Sequence, residues 1–117
     1  MIHQTEKISI YPPETSGPIS ADQQYSLLEL LKIVECEYRN QLSELHHRYQ
    51  KPLTLRDVEL QNQEPAPRNQ KLVVRSYVYR KDKKGDIEIR IFVHSTGKKT
   101  ERRVAKAIYT LNVSSNG

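Results

Sequence analysis

Tryptophan is absent from this chain, and cysteine, methionine and phenylalanine each occur once. A single thiol, Cys36, cannot close an intramolecular disulfide, and no second thiol stands near it to share a metal. A reducing, cytoplasmic setting is the expectation. Long apolar runs are missing too: nothing approaches the roughly 18 residues of a membrane span, and residues 1–11 contain no apolar stretch of signal-peptide length. Glycine is scarce, at four residues, and none lies in a phosphate-cradling pattern. Gly97-Lys98 has Phe92 five positions before it, where a second glycine belongs, and Lys99 where Ser or Thr belongs. No serine sits in an elbow or a Gly-rich turn, so a Ser-His-Asp hydrolase has no support. These absences predict a soluble, non-catalytic protein with no cofactor and no membrane partner.

Charge is abundant and unevenly placed. Residues 1–67 hold six Lys or Arg against ten Asp or Glu, a balance of −4, whereas residues 68–117 hold thirteen against four, a balance of +9. A concentrated positive field attracts polyanions whatever fold carries it. With 117 residues and 36% apolar content, one domain with a thin core is expected. Its bounds are read as an N-terminal arm over 1–19, a single α+β domain over 20–113 and a frayed tail over 114–117.

Residues 7–11 alternate, with Ile8 and Ile10 on one side, and read as a short edge strand or an ordered arm before Pro12 and Pro13. Ser20 and Gln23 have the spacing of a capping box and predict a helix start. Leu27, Leu31, Val34, Tyr38, Leu42, Leu45 and Tyr49 follow at steps of three and four, the stripe of an amphipathic helix that Pro52 ends. Such a helix runs about 30 residues, or about 45 Å, more than so small a domain covers. Either it breaks near Gln41 or it packs on another chain. Residues 53–60 alternate weakly and suggest a short strand. Residues 72–80 and 87–94 predict an antiparallel hairpin about Gly85. In the second of these, Ile87, Ile89, Ile91 and Val93 share the face assigned to the core.

Residues 98–113 fit either a helix, with Val104, Ala107, Ile108 and Leu111 as its stripe, or a strand, with Ala105, Ala107, Tyr109, Leu111 and Val113 on one face. The small residues favour the helix and the β-branched and aromatic ones the strand. The fold class expected is therefore α+β: one long N-terminal helix, a small antiparallel sheet and a C-terminal helix, with a further strand as the alternative.

The constellations that suggest binding are basic. Lys81, Lys83 and Lys84 lie in the hairpin turn, and Lys98, Lys99, Arg102 and Arg103 at the entry to the last element. If both groups lie at one end of the sheet, they span phosphates along a nucleic-acid backbone. If not, they are solvated surface or counter the acidic helix residues Glu29, Glu35, Glu37 and Glu44. Tyr77, Tyr79, Arg90, Phe92 and His94 offer a stacking surface for bases if their sheet face is open, and become core and edge residues if the helix covers it, the reading preferred here. His46 and His47 are helix neighbours about 100° apart and do not converge on one ion; Glu44, three before His47, is the one possible co-ligand, and no metal site is expected. The uncovered helix stripe at Leu27, Leu31 and Val34 is the candidate protein interface, for a homodimer or for docking on a larger assembly.

Gln50-Lys51-Pro52-Leu53 after the first helix, the proline-containing connection over 64–69, the hairpin about Gly85, and Gly97-Lys98-Lys99 leading into Ala105, Ala107 and Leu111 resemble a double-stranded-RNA-binding domain. That resemblance implies an α-β-β-β-α fold and non-catalytic binding of duplex RNA by shape. The contacts it implies fall to the distal first helix, to Pro67 and Asn69, and to Lys98, Lys99 and Arg103. Nucleic acid, double-stranded RNA among the candidates, or an acidic protein is the partner expected.

Overall fold

A computed structural model describes residues 4–13, 23–50, 52–81, 86–97 and 100–113. Strand β1 (Gln4–Tyr11) is followed by helix α1 (Leu27–Tyr49) and then by β2 (Leu53–Asn62), β3 (Lys71–Lys81), β4 (Asp86–Thr96) and β5 (Glu101–Val113). The strands form one sheet in the order β1-β3-β4-β5-β2, antiparallel throughout. One helix lies across one face of it.

Helix α1 starts six residues later than the Ser20 box predicts. Ser26 is the N-cap: its hydroxyl accepts from the Glu29 amide at 3.1 Å, and Glu29 Oε1 accepts from the Ser26 amide at 2.9 Å. Residues before it are pulled into extended contact with the β2–β3 connection. Gln24 bridges to Pro67, Tyr25 donates its amide to the Ala66 carbonyl, and Arg68 donates to the Gln23 carbonyl. Ser20 itself lies outside the described residues. At the other end Gln50 adopts a left-handed conformation, φ 52°, and closes the last turn onto His46.

The helix buries Leu30, Val34, Glu37, Gln41 and Leu45. Against them lie alternate residues of three strands: Leu72, Val74 and Val78 of β3, Ile87, Ile89, Ile91 and Val93 of β4, and Ala107, Tyr109 and Leu111 of β5. The core face of β4 is the one its alternation predicted. Burying each large aliphatic side chain contributes about 1.5–3 kcal/mol. Two polar positions interrupt the stripe, and each is satisfied. Gln41 donates to Ser76 Oγ at 2.9 Å, and the Tyr11 hydroxyl donates to Glu37 Oε1 at 3.2 Å. Burial and the Glu37 charge push the Tyr11 phenol up to about 12.

The last element is a strand, which corrects the expected C-terminal helix. Pairing with β4 on one side and β2 on the other satisfies its backbone along both edges, and its buried residues then alternate from Ala105 onward. A bulge at Val104 accompanies a register shift against Val93 and His94. Ala105 and Ala107, the residues that favoured a helix, are small because α1 crosses above them. The segment carrying Ile8 and Ile10 is an edge strand of the same sheet, paired with β3 from Gln4↔Tyr79 to Tyr11↔Leu72.

Helix α1 packs on β3, β4 and β5 and leaves β2 uncovered. Nine of the ten β2 residues are exposed, Leu55, Val58 and Leu60 among them. Among the described residues, no helix is long and apolar enough to cross a membrane.

Candidate active site

The stripe expected from spacing is wider than the face the sheet covers. Leu27 and Leu31 fall on the flank of α1 turned toward the uncovered edge strand, and there they meet β2 across a cleft of about 180 Å³. Leu27, Leu30, Leu31 and Val34 form one wall, Leu60, Gln61 and Asn62 the other, and Ala105 and Lys106 the floor. Both walls are anchored through the β2–β3 connection. Its first residues, Gln63 and Glu64, direct their amides to the Val104 carbonyl at 2.9 and 3.4 Å, and Ala66 is hydrogen-bonded to Tyr25 just before the helix. Arg68 ties the same connection to α1 by an ion pair with Glu29 and lies over the Tyr25 ring.

The start of α1 opens beside the cleft, since Leu27 is both its first residue and a lining residue. The Ser26 and Glu29 amides are used by the capping box. Helical geometry leaves the Leu27 and Leu28 amides without an intrahelical acceptor. Two N–H groups at the positive end of a helix dipole attract an oxygen that carries or gains negative charge. Of the nearby carboxylates, Glu29 is held below its ordinary value by the bond it accepts from the Ser26 amide, with Arg68 adding to the effect. Glu37 is buried on the side facing Tyr11. Glu35 sits one turn beyond Leu31 on the same flank, exposed, and accepts from Arg39 at 2.8 Å. One turn beyond Val34 on α1, Tyr38 stacks on Tyr109, ring centres 3.9 Å apart and planes 13° apart. Burial raises both phenols above their ordinary value.

Seven basic residues are expected from the sequence to bind nucleic acid. Lys83, Lys84, Lys98 and Lys99, like the Lys81 side chain, lie outside the described residues. Lys81 and Gly97, the described residues beside the two groups, flank β4, an eleven-residue strand that spans roughly 35 Å. Arg102 is exposed and 4.0 Å from Glu64, and Arg103 lies over the Phe92 ring. Tyr77, Tyr79, Arg90, Phe92 and His94 occupy the face away from α1, so they are not beneath the helix as preferred. Their cations are already matched there: Arg90 pairs with Glu88 and stacks on Tyr79, and Arg75 pairs with Glu101 at 2.6 Å. Burial holds His94 below its ordinary value. Of the three interface candidates, Leu27 is 53% exposed, Leu31 is half-buried, and Val34, at 2%, belongs to the chain's own core. His46, His47 and Cys36 are exposed on α1, and no metal-binding group of side chains occurs among the described residues.

Sequence reasoning missed the second wall and the floor. Leu60 and Ala105 have no local signature, because they line the cleft only through the β2–β5 pairing, which joins Asn62 to Ala105 and Leu60 to Ala107. The available signal was the apolar alternation of residues 53–60 in a strand whose partner came last in the chain.

No protein-family model and no curated protein sequence matches the chain. Solved structures do. The 4-hydroxybenzoyl CoA thioesterase from Pseudomonas sp. strain CBS-3 superposes with a TM-score of 0.64 at 9% identity, over 96% of this chain and 86% of that one. A hot-dog-like protein from Thermanaerovibrio acidaminovorans gives 0.62 at 14% identity, over 96% and 82%. A hexameric thioesterase from Yersinia pestis gives 0.61 at 14%, over 94% and 86%. The chain shares the hot-dog fold of these neighbours. That corrects the likeness to double-stranded-RNA-binding domains, whose last element is a helix. It equally corrects the nucleic-acid and acidic-protein partners and the non-catalytic assignment, since the neighbours include CoA thioesterases.

Proposed function

We propose that this protein binds acyl thioesters of coenzyme A and hydrolyses them, in the cytoplasm, with the acyl group lying in the cleft beneath the start of α1. The observation that carries the reading is the conjunction of an aliphatic cleft with a helix N-terminus at its mouth, in a fold whose neighbours include CoA thioesterases. The thioester carbonyl oxygen sits at the Leu27 and Leu28 amides, which stabilise the negative charge that develops on it. Glu35 is the carboxylate on the cleft-side flank, and it takes a proton from a water whose oxygen attacks the carbonyl carbon. The carbon–sulfur bond then breaks, the thiolate leaves and takes up that proton, and a carboxylic acid and the free CoA thiol are released.

A second copy completes the site. Among the described residues strand β2 has no partner on its outer edge, and Leu55, Val58 and Leu60 stand exposed on it, with Leu27 exposed on the facing helix. Apolar edge strands are sites of strand pairing, and the hexameric neighbour supports self-association. This keeps Leu27 and Leu31 as interface residues and assigns the partner to the chain itself.

Thiol release from a panel of acyl-CoA esters tests the reading. Glu35→Gln is expected to lower kcat by about a hundredfold or more while leaving KM within a few-fold, as loss of a general base does. Wild-type protein that neither binds nor cleaves any ester of the panel removes the proposal.

A further inference from the structure

The stacked tyrosines stand one turn past the cleft on α1 and four positions past its floor on β5, and we infer that the Tyr38–Tyr109 pair is a stop that fixes the length of the acyl group. The inference rests on the acyl-thioester reading above. On α1, Val34 lines the cleft and Tyr38 follows one turn later. On β5, Ala105 forms the floor and Tyr109 lies four positions on, on the same face of the sheet. Strand β2 keeps the same step, because Leu60 pairs with Ala107 and Val58 with Tyr109. All three elements therefore reach the stack at one level.

Past the stack the neighbouring residues are apolar again. Leu42 is one turn past Tyr38, and Leu111 is paired with the exposed Leu55. From Leu27 to Val34 the helix rises about 10 Å. A cavity of about 150 Å³ holds one benzene, so a cleft of about 180 Å³ takes a single ring or a straight chain of about six to eight carbons. Longer chains have to separate rings packed at 3.9 Å.

The experiment is a series of straight-chain CoA esters from about four to sixteen carbons, with benzoyl-CoA, measured on the whole protein by thiol release and by calorimetric binding. For the wild type, kcat/KM and affinity are expected to rise about two- to fourfold per methylene up to about eight carbons, then to fall at least about tenfold by twelve. Tyr38→Leu and Tyr109→Leu, each confirmed as folded by circular dichroism, are expected to move that break about four carbons longer. Tyr38→Phe keeps the ring and is expected to keep the break. A wild-type profile that climbs to sixteen carbons without a break overturns the stop with no variant needed. So does a break that stays in place in both leucine variants. Absence of binding and turnover across the whole series overturns the thioester reading itself, an outcome distinct from either.

Discussion

At the scale of single residues, stability is concentrated where polar side chains meet the helix. Gln41 and Ser76 are 1% and 0% exposed, and their side chains are hydrogen-bonded to each other. Removing one leaves the other buried and unsatisfied, which costs about 1–3 kcal/mol. Ser76→Ala is thus expected to lower the unfolding free energy measured in urea by that amount, and Ser76→Ala with Gln41→Leu to recover much of it. Glu29 acts through ionisation. Its pKa is held below the ordinary 4.5, chiefly by the Ser26 amide, so its contribution is present above pH 4.5 and is lost as pH falls through the lowered value. Glu29→Gln should flatten that region of the stability profile, as read by thermal melts between about pH 3 and 6. Gln50 is the non-glycine residue with positive φ among those described. Gln50→Gly is expected to stabilise by about 1 kcal/mol in chemical denaturation.

At the scale of elements, the alanines of β5 decide how α1 sits. Ala107 is fully buried where the helix crosses, and Ala107→Leu is expected to destabilise by about 1–3 kcal/mol through overpacking. The same alanines account for what local sequence could not convey. Alternation in 72–80 and 87–94 fixes a hairpin because both strands carry their own period and a turn between them. Residues 101–113 lack that self-sufficiency: their strand state depends on two neighbours, and the helical pattern of Val104, Ile108 and Leu111 is equally good in isolation. Ser20-x-x-Gln23 and Ser26-x-x-Glu29 are both capping boxes on paper, and only the contact with Ala66 and Pro67 selects the second. The stripe of α1 was legible, but its partition between core and cleft was not, since it depends on where β3, β4 and β5 end and the uncovered β2 begins.

At the scale of the whole molecule, the balance of +9 over residues 68–117 does not by itself mark a binding surface. Arg75 pairs with Glu101 and Arg90 with Glu88 within the sheet, which separates net charge from binding. The unmatched feature is the apolar margin of β2 and α1. Light scattering is expected to give a dimer or a larger assembly, and Leu60→Lys with Leu27→Glu to shift it toward monomer and to reduce esterase turnover in parallel. A wild type that stays monomeric at all concentrations removes the second-copy requirement.

The pairing of β2 with β5 also governs the order in which the fold can be assembled. Leu53 meets Val113 and Asn62 meets Ala105, so the second strand made is joined to the sheet by the last. During synthesis Leu55, Val58 and Leu60 stay without their ladder until β5 has left the ribosome. Pairings this distant in sequence slow folding to about milliseconds or longer. Over that interval the same apolar edge that walls the cleft is open to wrong partners, and chaperone demand during expression should fall when β2 is made more polar.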